Sequence, residues 1–298
     1  MKHTRFLSVL LLTLFVAVPA WAAFDEQTIS PRARAMGEAS VAVPGDAWSF
    51  RNNPALLGEM TRTLASSSTM QPYGISGLQL RALGISTPLP SARGGVAFGF
   101  QHWSVDRGNV NLTREQTLSF AHGIRLYEDT NSSAYIGWGA NFYNADFGQT
   151  VSGLEPGSAW TWGVDVGVAI TLYERTRAAF LTRNLNNPTI GEDQEELRQM
   201  VSAGIAYEPY DGVVTTFDIR GQLGEEMRFH GGLEFAVLEV LDLRFGVMTD
   251  PNKLTGGFGV HLPRLISFDY AFSTGGGTLD ESHQFGLSVR FGAGGTGR

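Results

Sequence analysis

The chain has 298 residues, a formal net charge of −7 and no cysteine. The acidic balance argues against a nucleic-acid partner, and the missing cysteines exclude a disulfide-stapled scaffold. Only 17% of residues are charged and 37 are glycine, against about 25% charged in an ordinary soluble domain. Yet the mean hydropathy is only −0.06, and no stretch after residue 22 is long and apolar enough for a membrane-crossing helix.

Residues 1–22 have the three parts of an export signal: Lys2 and Arg5, an apolar run from Phe6 to Val18, and Ala20-Trp21-Ala22. Cleavage is expected after Ala22. Loss of two basic residues moves the formal charge from −7 to −9.

Residues 23–60 do not alternate. Within them, "SPRARAMG" predicts a short helix, with Ser30 as N-cap, Pro31 at the first helical position and Gly37 past the end. "NNPALLGEM" predicts a second, capped by Asn53 with Pro54 following. Met36, Val41, Val43, Trp48, Phe50, Leu56 and Leu57 make the stretch too apolar for a disordered tail. A hatch folded into a lumen is the expectation.

From residue 61 to 292 the pattern has a period of two. Residues 158–173 place Trp160, Trp162, Val164, Val166, Val168, Ile170 and Leu172 on one face, with Thr161, Gly163, Asp165, Gly167, Ala169 and Thr171 on the other. Period two predicts strands. About fourteen are expected, near 62–70, 75–88, 93–103, 113–127, 132–146, 158–173, 175–184, 199–208, 213–222, 226–237, 240–248, 254–262, 264–273 and 282–291. A phase break between Leu80 and Leu83 suggests a bulge, and 175–184 alternates poorly.

Connections after even-numbered strands are short, while the long ones, 104–112, 147–157, 185–198 and 274–281, follow odd-numbered strands. A sandwich gives no reason for that bias. A transmembrane antiparallel β-barrel with short periplasmic turns does. The fold class expected is therefore all-β, with bulky side chains facing outer-membrane lipid and small ones facing the lumen. The longest loop carries Glu192, Asp193, Glu195 and Glu196 and is the candidate contact for an outside partner.

The last strand puts Phe285, Leu287, Val289 and Phe291 on one face. It resembles the C-terminal signal read by the barrel-assembly machinery, followed here by a tail, 293–298. On the lumen phase fall Asp165, Asp218, Arg220, Arg228, Glu234, Asp242, Arg244, Asp269 and Arg290. Neighbouring strands offer Asp218/Arg228 and Glu234/Arg244 as pairs. They form either a polar conduit, a docking surface for the hatch, or a network that keeps buried charges satisfied, as burial demands in any case.

No cofactor motif or metal-ligand spacing is present, so no metal is expected. His102, His122, His230, His261 and His283 show no nucleophile at a telling spacing, and no G-x-S-x-G or H-E-x-x-H occurs. An enzyme is not the expectation.

"SPRARAMGEASVAVPGDAWSFRNNPALL" resembles the N-terminal hatch of the FadL superfamily of outer-membrane proteins. The matching positions are Ala35-Met36-Gly37, Val41-Ala42-Val43, Asp46-Ala47 and Asn53-Pro54-Ala55. "DESHQFGLSVRF" is similar to the last strand of the PorV/PorQ branch of that superfamily. The resemblance implies an outer-membrane location in a Gram-negative-type cell and passage of hydrophobic small molecules. The alternatives it leaves open are a PorV/PorQ-like part in type IX secretion, holding a secreted protein, and a weaker one, an outer-membrane hydrolase.

Overall fold

The computed structural model describes residues 24, 27–90, 94–108, 110–148, 157–222, 226–249, 251–262, 265–275 and 279–292. The export signal 1–22 and the tail 293–298 lie outside these residues.

Fourteen antiparallel strands close into one barrel. They are β1 (Thr63–Gln71), β2 (Leu78–Pro88), β3 (Gly95–Arg107), β4 (Val110–Glu128), β5 (Ser132–Phe147), β6 (Gly157–Leu172), β7 (Thr176–Arg183), β10 (Met200–Tyr210), β11 (Val213–Gln222), β12 (Arg228–Leu238), β13 (Leu241–Met248), β14 (Lys253–Leu262), β15 (Ile266–Ser273) and β16 (Ser282–Phe291). Each pairs with its neighbour in sequence, and β1 closes the ring on β16, so no edge is left open. Between β7 and β10 stands a small separate hairpin, β8 (Thr189–Ile190) and β9 (Glu195–Glu196). The acidic loop is thus a hairpin rather than an irregular loop.

Alternation sorts the side chains as expected. Trp160, Trp162, Phe98, Phe142, Phe217, Phe245 and Leu287 face outward and are exposed. Such a belt fits a lipid solvent. On the inward face, Gly163, Gly167, Gly204 and Gly286 are buried.

Two expectations about the strands fail. The register from β1 to β2 and from β2 to β3 runs without a shift, so there is no bulge between Leu80 and Leu83. Leu80 simply faces inward, where it joins Ile29, Trp48, Phe50 and Leu57. Residues 104–112 are not a long loop either, because β3 and β4 extend the hairpin to Arg107 and Val110.

Residues 27–60 lie inside the barrel. Helix α1 (Pro31–Ala35) packs on β13–β16, and a 3-10 turn (Pro54–Glu59) packs on β2–β6. Between them, helix α2 (Ser49–Asn52), one turn long, brings in Phe50. Met36, Val41, Val43 and Leu56 form a second apolar cluster with Tyr135, Leu181 and Ala206 of the wall. Leu181 explains the poor alternation of β7: a large inward residue is allowed where the segment fills the lumen.

Candidate functional site

Helix α1 begins as its sequence predicts. Ser30 Oγ accepts from Ala33 N at 3.0 Å, and Pro31 occupies the first turn, where no N–H is missed. Gly37 follows with φ +64°, and a Cβ there would lie 2.5 Å from Gly231 O and 2.6 Å from Val247 O. Only glycine fits between α1 and the wall.

Asp46 is the internal tie of the segment. It accepts from Ser30 Oγ, from Trp48 N at 3.0 Å and from Asn52 Nδ2 at 3.0 Å. Asn53 ties segment to wall. Its Oδ1 accepts from Ala55 N at 3.0 Å, while Nδ2 reaches Val41 O, Val168 O and Phe180 O at 3.2–3.4 Å. Asn53, Ala35 and Ala55 have no exposed surface, and Met36 is buried among wall residues. Pro54 opens a 3-10 turn rather than an α-helix. That tighter form lets its backbone sit on β4 and β5, where a Cβ at Gly137 would come within 2.3 Å of Pro54 C.

On the other wall the contacts are charged. Arg32 donates through Nε and Nη2 to both Glu234 oxygens, at 2.8 and 2.6 Å. Arg244 Nε shares Glu234 at 2.6 Å, and its Nη1 and Nη2 reach Asp269 at 2.6 Å and Asp242 at 3.3 Å. Burial would lower the Arg32 pKa, but the Glu234 carboxylate outweighs it and holds the guanidinium above its ordinary value. Next to this cluster, Arg34 donates to Gln284 Oε1 at 2.6 Å and lies 3.4 Å from Glu38. Burial pushes Glu38 up, yet Arg34 and Arg220 prevail and its carboxyl titrates below the ordinary range.

Of the two pairs expected from sequence, Glu234/Arg244 is in contact and Asp218/Arg228 is not. The β11–β12 register sets Asp218 against His230 and Arg228 against Arg220. Asp218 instead accepts from Ser40 N and Val41 N at 2.7 and 3.0 Å, holding the backbone of the N-terminal segment. Arg220 donates to Glu38 O. Asp165 accepts from Asn141 Nδ2 at 2.9 Å and Asn184 N at 3.1 Å. Arg290 donates to Ser267 Oγ at 3.3 Å. Phe285 and Leu287 face outward on β16, and Val289 and Phe291 complete that row beside β1.

Sequence spacing missed one constellation. His261 lies directly across from Ser267 in the β14–β15 register. His261 Nδ1 and Ser267 Oγ are 2.9 Å apart, and Nε2 is 2.6 Å from Asp242 Oδ2. Only strand register could have brought these three together.

The segment divides the lumen. Toward the end with the long connections is a cavity of about 260 Å³ bordered by Phe24, Trp103, Tyr143, Arg51, Arg183 and Arg220. Toward the end with the short turns is one of about 250 Å³, bordered by Trp48, Asp242, Arg244, His261, Ser267 and Arg290. Among the described residues no cluster of His, Asp and Glu has the geometry to hold a metal ion.

The architecture is a closed fourteen-strand antiparallel barrel with the N-terminal segment in its lumen. No protein-family model and no curated protein matches the chain. Solved structures do match it. The CymD monoaromatic hydrocarbon channel aligns with a TM-score of 0.61 at 13% identity, over 88% of this chain and 96% of that one. The toluene transporter TodX of Pseudomonas putida aligns at 0.61 and 11% identity, over 91% and 100%. Omp33, an outer-membrane protein of Acinetobacter baumannii, aligns at 0.50 and 9%, over 77% and 98%. At these identities the likeness is one of fold.

Proposed function

We propose that the protein is a FadL-like outer-membrane barrel that passes hydrophobic small molecules, with residues 23–60 as its hatch. The observation that carries this is the divided lumen: a cavity on each side of a segment fastened to both walls. An open pore would leak ions, and a fully packed interior would pass nothing. Two of the neighbours in fold, described as a monoaromatic hydrocarbon channel and a toluene transporter, support the same reading. The export signal 1–22 is removed, and the barrel-assembly machinery reads β16 through Phe285, Leu287, Val289 and Phe291. The lumen charges then act as the docking surface of the hatch rather than as a catalyst.

The test is transport in reconstituted membranes. The intact chain should conduct ions poorly in planar bilayers and speed entry of toluene into proteoliposomes. Deletion of residues 23–60 should give large, steady conductance. Absence of both effects overturns the reading.

Two rivals have their own tests. The Ser267–His261–Asp242 contacts favour a hydrolase, with Asp242 holding Nε2–H and Nδ1 free to take the serine proton. Labelling by a fluorophosphonate that Ser267→Ala abolishes would establish it. A PorV/PorQ-like role in secretion predicts that a purified type IX sorting domain binds the β8–β9 hairpin, and that removing the hairpin ends binding.

A further inference from the structure

The outward face is bulky and apolar around most of the ring, but not along β1. Its outward row is Thr63, Ala65, Ser67, Thr69 and Gln71. Register supplies a wall on each side. Ala65 lies level with Ile85 and Val289, Ser67 with Leu83 and Leu287, and Thr69 with Arg81 and Phe285. Phe98 and Phe100 continue one wall on β3, and Phe268 continues the other on β15. The result is a trough of two contiguous depressions, about 560 and 460 Å³, floored by Ala65, Ser67 and Thr69. Four strand steps make that floor about 14 Å long, the reach of a medium-length acyl chain.

The trough is asymmetric. At the level of Thr69 it is lined by Arg81 and His102, with Arg114 on the outward row of β4 one pair further on. Arg81 is exposed and contacts Gln79 at 2.7 Å. The nearby Asp106 carboxylate accepts from Ser104 and Asn111 at 3.1 and 2.8 Å. The other end is framed by Ile85, Phe98 and Val289. The basic end is the one with the long connections, which faces outside in a barrel of this kind.

We propose that this trough seats an acyl chain of a phosphorylated glycolipid of the outer leaflet, with its phosphate on Arg81 and His102. An apolar channel that ends in the Arg81 guanidinium matches a lipid with an anionic head, and a phosphate accepts a charge-assisted hydrogen bond from the guanidinium and an N–H from the imidazole. An inner-leaflet lipid would present its head at the wrong end. The proposal rests on the outer-membrane reading but not on what the lumen transports.

The experiment is native mass spectrometry of the full chain in detergent. It is titrated with bis-phosphorylated lipid A, dephosphorylated lipid A and phosphatidylglycerol. The bis-phosphorylated form should be retained best. Ser67→Phe, which fills the trough, and the double variant Arg81→Gln/His102→Gln should each weaken retention about tenfold. Heat-modifiable migration on gels checks that each variant barrel is folded. Equal retention of all three lipids, or unchanged retention by the variants, overturns the proposal. So does a dimer that Ser67→Phe abolishes, because the trough would then be a contact between copies. Normal toluene entry with no lipid preference would sink this inference alone.

Discussion

The two walls that grip the N-terminal segment do so by different physics. On β4–β7 the fit is made mainly by neutral groups: the backbone at Pro54 rests where Gly137 has no side chain, and the Asn53 amide completes the join, with the Glu59–Arg177 ion pair beside it. On β11–β15 the grip is ionic, with Arg32, Glu234, Arg244 and Asp269 linked in one chain and Glu38 beside Arg220. Close packing is itself indifferent to salt and pH. Ion pairs can be exchanged for other partners, including a passing ligand or water. If the barrel passes a ligand as proposed, the packed wall would be the anchor and the ionic wall the side that lets go.

Four expectations put that contrast at risk. Glu234→Ala removes the carboxylate shared by Arg32 and Arg244, leaving buried guanidiniums short of a partner. Loosening by roughly 3–5 kcal/mol is expected. Protease cleavage within residues 31–46 and raised conductance would report it. Gly37→Val forces a side chain against the β12 and β13 backbone at positive φ. A shift of about 2–4 kcal/mol from overpacking and backbone strain should free α1 while the 3-10 turn stays protected in hydrogen exchange. Asn53→Ala strips the amide from the neutral wall at about 1–3 kcal/mol. It should lower the melting temperature while raising conductance less than Glu234→Ala does.

The smallest effect is pH dependence. Glu38, held below its ordinary value of 4.5, supports the ionic wall fully above that value. That support is lost as pH falls through the lowered value. Glu59, paired with Arg177 of β7 on the opposite wall, is raised by burial. It binds its proton more tightly when packed, so its contribution is fully present below 4.5 and fades as pH rises through the raised value. Acid should thus open the ionic side first, and Glu38→Gln should flatten the acid limb of conductance against pH. An acid limb unchanged by that substitution would refute the assignment.

Much of the barrel was legible in the chain because the period of two carries the whole signal: lipid takes one face and the lumen the other. Leu80 and Leu181 blurred it because they point inward yet are large. Their size makes sense only once the segment that covers them is known. The caps at Ser30 and Asn53 were readable because capping is local, a side chain reaching two or three residues along its own backbone. The helix type after Asn53 was not, since the wall beneath it selects the tighter turn.

What the sequence alone determined is therefore the face each residue presents and where the chain turns, both properties of neighbours along the backbone. What only the tertiary structure decided is who meets whom across strands. Asp218 meets Ser40 and Val41 rather than Arg228, and His261 meets Ser267. The reason is register: alternation is satisfied by any pairing shifted by two residues, and one such step moves a charge by about 7 Å, from contact to none.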